Sequence, residues 1–260
     1  MAEGLNFKTD WNNAAGDYAK HRAGFPDWFF DRVEAARLFR PGMRVLDLAT
    51  GTGTLARGFA KRGGIVTGLD IAPEMMAQAK ALDAQAGVSV DYVQAKAETT
   101  GQAAASFDLV TAGTCWFWFD GDLAAAEAAR VLKPGGHLMI AMLAWLPLKD
   151  SVVAATERVI EKHNPGWKLG NYEAGVVRHM RDLANGGFGG RESFAVDYDI
   201  PYSQEAWRGR IRASAGVRAS LSADAVAAFD VEHAAMLAKD FPADPMQIPH
   251  RVVASWGKKV

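Results

Sequence analysis

The sequence predicts an α/β fold built on a doubly wound, mostly parallel sheet. Three observations carry that expectation. Short apolar strands alternate with helices about every ten to fifteen residues from Arg44 to Ala144, the pattern of consecutive βαβ units. The first strand runs into a glycine turn that opens a helix, "VLDLATGTGTLA" over residues 45–56. The second strand ends on a carboxylate, Asp70.

The elements follow in order. Two helical segments come first, "DWNNAAGDYAKHR" and, after Pro26, "DWFFDRVEAARLF", where Trp28, Phe29, Val33 and Leu38 are spaced for one apolar face. "RPGM" breaks the chain into the strand "RVLDLA". Helix "GTLARGFAKRG", strand "IVTGLD" and helix "APEMMAQAKALDAQ" come next, the last with Pro73 in its first turn. Strands "VSVDYVQA" and "SFDLVTAGT", helix "DLAAAEAARVL" and strand "GHLMIAML" complete the alternation. It stops near Ala144. Two helices, "PLKDSVVAATERVIEKHNPGW" and "NYEAGVVRHMRDLAN", are expected to close on a loop, "GGFGG". Strand "ESFAVDYDIPY", helix "SADAVAAFDVEHAAMLAKDF" and a last strand, "HRVVASWGKK", finish the chain. The expected division is a helical cap over 1–40, a binding core over 41–144, an inserted helical lid over 145–190 and a C-terminal part of the core sheet over 191–260.

Composition excludes several function classes. The 260 residues are 49% hydrophobic and 23% charged, ordinary values for a globular protein. A net charge of −1 offers no basic surface for nucleic acid or an anionic membrane. No apolar run reaches the ~18 residues of a spanning helix. The stretch "MAEGLNFKTDWNN" lacks the basic and apolar regions of a secretory signal, so the expected location is the cytoplasm. One cysteine, Cys115, excludes a disulfide framework and a multi-cysteine zinc site. No two of the six histidines have helical i, i+4 spacing, so no metal is expected.

The glycine turn is the informative feature. A strand ending in glycine-rich backbone that opens a helix gathers N–H groups and a helix N-terminus around a ligand. Gly51 and Gly53 let the backbone bend and a ligand approach. Asp70, nineteen residues after Gly51, sits where a carboxylate accepts from two ribose hydroxyls. Gly51-x-Gly53-x-x-Ala56 satisfies the dinucleotide fingerprint, so an NAD(P)-dependent oxidoreductase remains open. Asp47, four residues before the first glycine, would repel a pyrophosphate and suit an ammonium. An adenosine carrying an amino acid meets that demand.

"VLDLATGTGTLA" resembles the first motif of class I S-adenosylmethionine-dependent methyltransferases. "GLDIAPEMM" resembles their second, "FDLVTAGTCWFWFD" their fourth, and "EAARVLKPGGHLMI" the stretch leading into strand five. "YAKHRAGFP" and the run ending Trp118-Phe119-Asp120 are similar to the small-molecule branch related to trans-aconitate methyltransferases, the type 11 group. The resemblance implies a seven-stranded Rossmann-like sheet with the last strand antiparallel, S-adenosylmethionine as cofactor and methyl transfer to an O, N or C nucleophile of a small molecule. A non-catalytic S-adenosylmethionine-binding protein is the third reading.

Residue by residue, the resemblance implies that Asp47 and the Ala49–Gly53 turn hold the methionine moiety. Asp70 takes the ribose hydroxyls, Ile71 and Met75 pack on the adenine, and Ala97 and Glu98 meet its edge. Thr114 lines the sulfonium side, while Tyr18 and Arg22 close over the methionine carboxylate. Two positions depart from the pattern. Lys96 replaces an acceptor with a donor-only side chain. Phe117 stands where relatives often carry histidine, so no general-base role transfers to it. The remaining candidate for a base is His21. The lone Cys115 reads as packing. Trp116, Trp118 and Trp145 lie beyond strands four and five and suit a planar, aromatic or heteroaromatic acceptor. A polycarboxylate would need the arginines Arg178, Arg181, Arg208, Arg210 and Arg212, which read as solvated helix faces.

Overall fold

The structure is a computed structural model that describes residues 20–21, 23–167, 175–218 and 220–260. Its first described long helix is α1 (Asp27–Ala35), followed by β1 (Arg44–Leu48), α2 (Thr54–Lys61), β2 (Ile65–Asp70), α3 (Pro73–Ala86) and β3 (Asp91–Gln94). Then come β4 (Phe107–Gly113), α4 (Gly121–Val131), β5 (Leu132–Trp145), α5 (Val152–His163), α6 (Val176–Asn185) and β6 (Phe188–Tyr202). α7 (Gln204–Arg212), α8 (Ala223–Asp240) and β7 (Met246–Lys259) end the chain. The sheet has seven strands in the order β3-β2-β1-β4-β5-β7-β6. β1 pairs in parallel with β2 and β4, β2 with β3, and β4 with β5.

The order reverses direction between β1 and β4: β2 and β3 lie to one side, β5 to the other. That is the topological switch point, outside whose carboxyl ends open α/β sheets bind ligands. The central strands are apolar on both faces, as helices covering both sides demand. Val45, Leu46, Leu48, Leu109, Val110 and Ala112 are fully buried.

The chain divides into two compact units. One takes in described residues within 24–143, 174–196 and 252–260, the other those within 144–173 and 197–251, with 20–21 and 23. This differs from the expected lid over 145–190 and from a C-terminal part belonging wholly to the core. α6 belongs with the first unit because it buries Leu183 in the cluster of Leu46, Leu138 and Phe188. Residues 197–251 join α5, burying Val153, Ile160, Trp207, Ile211 and Phe229 together. The stretch "GGFGG" is not a free loop. β6 begins inside it at Phe188, which is 1% exposed and anchors the strand in the core.

One buried group in the second unit sets a pH dependence. Thr156 Oγ1 accepts from Trp207 Nε1 at 3.1 Å and is hydrogen-bonded to His233 Nε2 at 3.0 Å. His233 Nδ1 is buried with no partner among the described residues. Burial pushes the His233 pKa down to about 4. Between about pH 6.5 and 4 the unfolded chain takes up a proton that the folded state refuses, so stability falls as pH falls. The slope approaches about 1.4 kcal/mol per pH unit for this group. Asp47 works in the opposite sense, because burial raises its folded pKa to about 6. Urea unfolding of parent and His233→Gln at pH 7 and pH 5 isolates the histidine: the variant should lose less stability between the two.

Candidate active site

The site is built on the carboxyl ends of β1, β2 and β4. β1 stops at Leu48, and the chain leaves it through Ala49 with φ 45°. Thr114, just past β4, has φ 59°. Both are non-glycine residues in the left-handed region, which costs about 1–2 kcal/mol each. Arg37, Ala105 and Asp150 also have positive φ, but Ala49 and Thr114 are the two at the ends of the strands flanking the switch point, where such strain can serve a ligand. The turn between Ala49 and α2 is held by Thr50 N–H donating to Leu69 O at 2.8 Å and Gly53 N–H to Thr50 O at 2.9 Å.

Asp47 lies beneath the turn, 2% exposed. Its carboxylate accepts from Thr50 Oγ1 and Thr111 Oγ1, each at 2.7 Å. Thr111 is its register partner on β4. Burial pushes the Asp47 pKa up to about 6 against these hydrogen bonds, leaving it mostly charged at pH 7. Thr111 was not singled out in the sequence, although a hydroxyl in the apolar run "FDLVTAG" was a readable signal.

Asp70 ends β2 with both oxygens occupied by backbone. Gly51 N–H donates to Oδ2 at 2.8 Å and Ala72 N–H to Oδ1 at 2.9 Å. Burial raises its pKa, while those N–H groups pull it back. Each carboxylate oxygen keeps a further lone pair. Next to it, Ile71 is 59% exposed, an apolar side chain left open at the strand's end. A Cβ on Gly51 would meet nothing, whereas one on Gly53 would lie 2.6 Å from the Tyr92 hydroxyl. Gly51 therefore faces open space and Gly53 faces the protein.

The other expected residues are placed as follows. Met75 and Ala97 are buried, and Glu98 Oε1 accepts from Asp120 N–H at 3.2 Å. Thr114 Oγ1 accepts from Leu143 N–H at 3.1 Å. Tyr18 and Arg22 lie outside the described residues. His21 and Trp145 belong to the other unit. There the His21 ring lies against Gly209, leaving no room for a Cβ. Trp145 donates Nε1–H to buried Glu157 at 2.7 Å and carries the Arg210 guanidinium 4.7 Å over its ring.

Trp116 is a correction. The chain turns through a short 3₁₀ segment at Trp116–Trp118 rather than continuing the strand. Trp116 is 1% exposed in the core, with Nε1–H donating to Asp182 at 2.9 Å, and presents no face to a ligand. Trp118 is only half-buried. Asp182 also accepts from Arg178 and Arg181. Asp182→Ala should lower stability by about 2–3 kcal/mol in urea unfolding, because a buried indole N–H loses its acceptor. The arginines are engaged rather than merely solvated: Arg208 and Arg212 both pair with Asp230. Cys115 is buried with Sγ 3.4 Å from Leu48 O, in keeping with packing.

Residues 46–140 match the profile of the family described as "Methyltransferase domain". Over this stretch the chain is similar to a methyltransferase domain. A ubiquinone biosynthesis O-methyltransferase of Xanthomonas campestris pv. campestris is 38% identical over 115 residues, 44% of this chain and 48% of that protein. The chain therefore aligns with about half the length of that relative. Among solved structures, the YcgJ protein of Bacillus subtilis shares the fold with a TM-score of 0.56 at 22% identity, covering 88% of this chain and 97% of that one. A Haemonchus contortus phosphoethanolamine N-methyltransferase, solved with S-adenosylhomocysteine and phosphomonomethylethanolamine, reaches a TM-score of 0.56 at 20% identity. That match covers 100% of this chain and 62% of that one. These likenesses show the fold alone. No helix among the described residues is long and apolar enough to cross a membrane.

Proposed function

We propose that the protein transfers a methyl group from S-adenosylmethionine to an O, N or C nucleophile of a planar small molecule. The observation that carries this reading is the pair of left-handed non-glycine residues, Ala49 and Thr114, at the ends of the strands flanking the switch point. The residues around them fit the cofactor. Gly51 leaves the turn open, Asp70 has lone pairs left for two ribose hydroxyls, and exposed Ile71 offers an apolar face to adenine. Met75, Ala97 and Glu98 are assigned to the adenine side and Thr114 to the sulfonium side. Asp47, charged at pH 7 beneath the turn, favours an ammonium over a pyrophosphate. That preference separates this reading from an NAD(P)-dependent oxidoreductase.

When bound, the sulfonium supplies an activated methyl electrophile. The protein then has to hold the acceptor in line at ~3–3.5 Å and keep water away. A base is required only for an acceptor protonated at working pH. With Trp116 in the core and the Trp145 ring beneath Arg210, the acceptor assignment rests chiefly on half-buried Trp118. The engaged arginines argue against a polycarboxylate.

The test is a methyl-transfer screen against phenols, heteroaromatic amines and small polycarboxylates. Turnover is expected in the first two groups, with Trp118→Ala reducing kcat/KM about 2- to 10-fold. Turnover confined to polycarboxylates, with Trp118→Ala harmless, reverses the acceptor assignment. S-adenosylmethionine binding without transfer to any acceptor leaves the non-catalytic reading.

A further inference from the structure

The glycine turn is held from behind by three side chains, Arg57, Asp83 and Tyr92. Arg57, one turn into α2, donates Nη1 and Nη2 to Thr52 O at 3.1 and 3.2 Å. The same Nη1 lies 2.9 Å from Asp83 Oδ1 on α3. The other oxygen of Asp83 accepts from the Tyr92 hydroxyl at 2.7 Å, and Tyr92 is on β3. Asp83 is 3% exposed, so this pair is little screened by solvent. The Tyr92 ring also covers Gly68 of β2, where a Cβ would lie 2.8 Å from the ring. Its hydroxyl closes the space behind Gly53.

We propose that Arg57, Asp83 and Tyr92 form a clamp of positioning residues that sets the affinity of the turn for the adenosyl cofactor. Asp70 holds the front of the turn through Gly51 N–H, and the clamp holds its back through Thr52 O. The two restraints act on adjacent residues of one short segment. A backbone pinned from both sides presents its N–H groups to a ligand without having to be ordered on binding. The clamp also accounts for Gly53: beyond its φ of 76°, any side chain there would displace the Tyr92 hydroxyl from Asp83. The raised Tyr92 pKa, caused by burial and by Asp83, keeps the phenol protonated and donating at every working pH.

The inference rests on the cofactor reading above, and its test separates the two. S-adenosylhomocysteine is titrated calorimetrically into the parent, Arg57→Met, Tyr92→Phe and Asp83→Asn, with the melting temperature of each measured without ligand. Arg57→Met should raise Kd at least about tenfold. Tyr92→Phe keeps its ring over Gly68, so it is the variant that folds if Arg57→Met does not, and it should raise Kd several-fold. Asp83→Asn keeps one accepting oxygen and turns the other position into a donor, so it should fall between parent and Arg57→Met. The affinity losses should appear well below each melting temperature. Parent-like Kd values in Arg57→Met and Tyr92→Phe, with only the melting temperatures lowered, overturn the clamp and leave the cofactor reading standing. A parent that binds no S-adenosylhomocysteine overturns the cofactor reading and the clamp with it.

Discussion

Gly51→Val should abolish measurable S-adenosylmethionine binding, a loss of at least about 1,000-fold. Two effects add. The residue has φ 56°, where a β-branched side chain is strained. A Cβ there meets no protein atom, so the valine methyl groups would point into the space assigned to the ligand. The substitution should cost little else, since it displaces no protein atom at that Cβ. Equilibrium dialysis with labelled cofactor, alongside a thermal melt showing a folded variant, checks the expectation. Binding within tenfold of the parent would place the ligand elsewhere.

Asp70→Ala should weaken binding about 10- to 150-fold, the equivalent of about 1.5–3 kcal/mol for hydrogen bonds to a charged group. The carboxylate does two jobs at once. It holds Gly51 N–H and Ala72 N–H, and it offers its remaining lone pairs to the ribose. Asp70→Asn keeps one carbonyl oxygen but turns the other position into a donor, so it should fall between parent and Asp70→Ala. Calorimetric titration reads all three. An Asp70→Ala variant that binds as tightly as the parent would sink the ribose assignment.

Much of this site was legible from residue order because its chemistry is local. Val45 to Gly53 is one strand and one turn, and Asp70 ends the next strand, so period and glycine placement locate them before any packing is known. What was illegible depends on contacts between distant segments. Trp116 was expected beyond strand four, facing an acceptor, whereas the 3₁₀ turn brings its indole onto Asp182, sixty-six residues away. The expected lid over 145–190 divides between the two units for the same reason: α6 packs by its buried Leu183, a tertiary preference that helix periodicity does not reveal. The clamp joins Arg57, Asp83 and Tyr92 across α2, α3 and β3. In sequence each of the three resembles a surface residue. Thr111 was the exception, since a polar residue in a doubly covered strand asks for a partner, and register supplies Asp47.

The central claim is that the turn after β1 binds an adenosyl cofactor bearing an ammonium rather than a dinucleotide bearing a pyrophosphate. Calorimetric titration of the parent with S-adenosylmethionine and, separately, with NADH at pH 7.5 tests it most directly. The account predicts a dissociation constant on the order of micromolar for S-adenosylmethionine and no heat of binding for NADH at millimolar concentration. Saturable NADH binding, with none for S-adenosylmethionine, would contradict it.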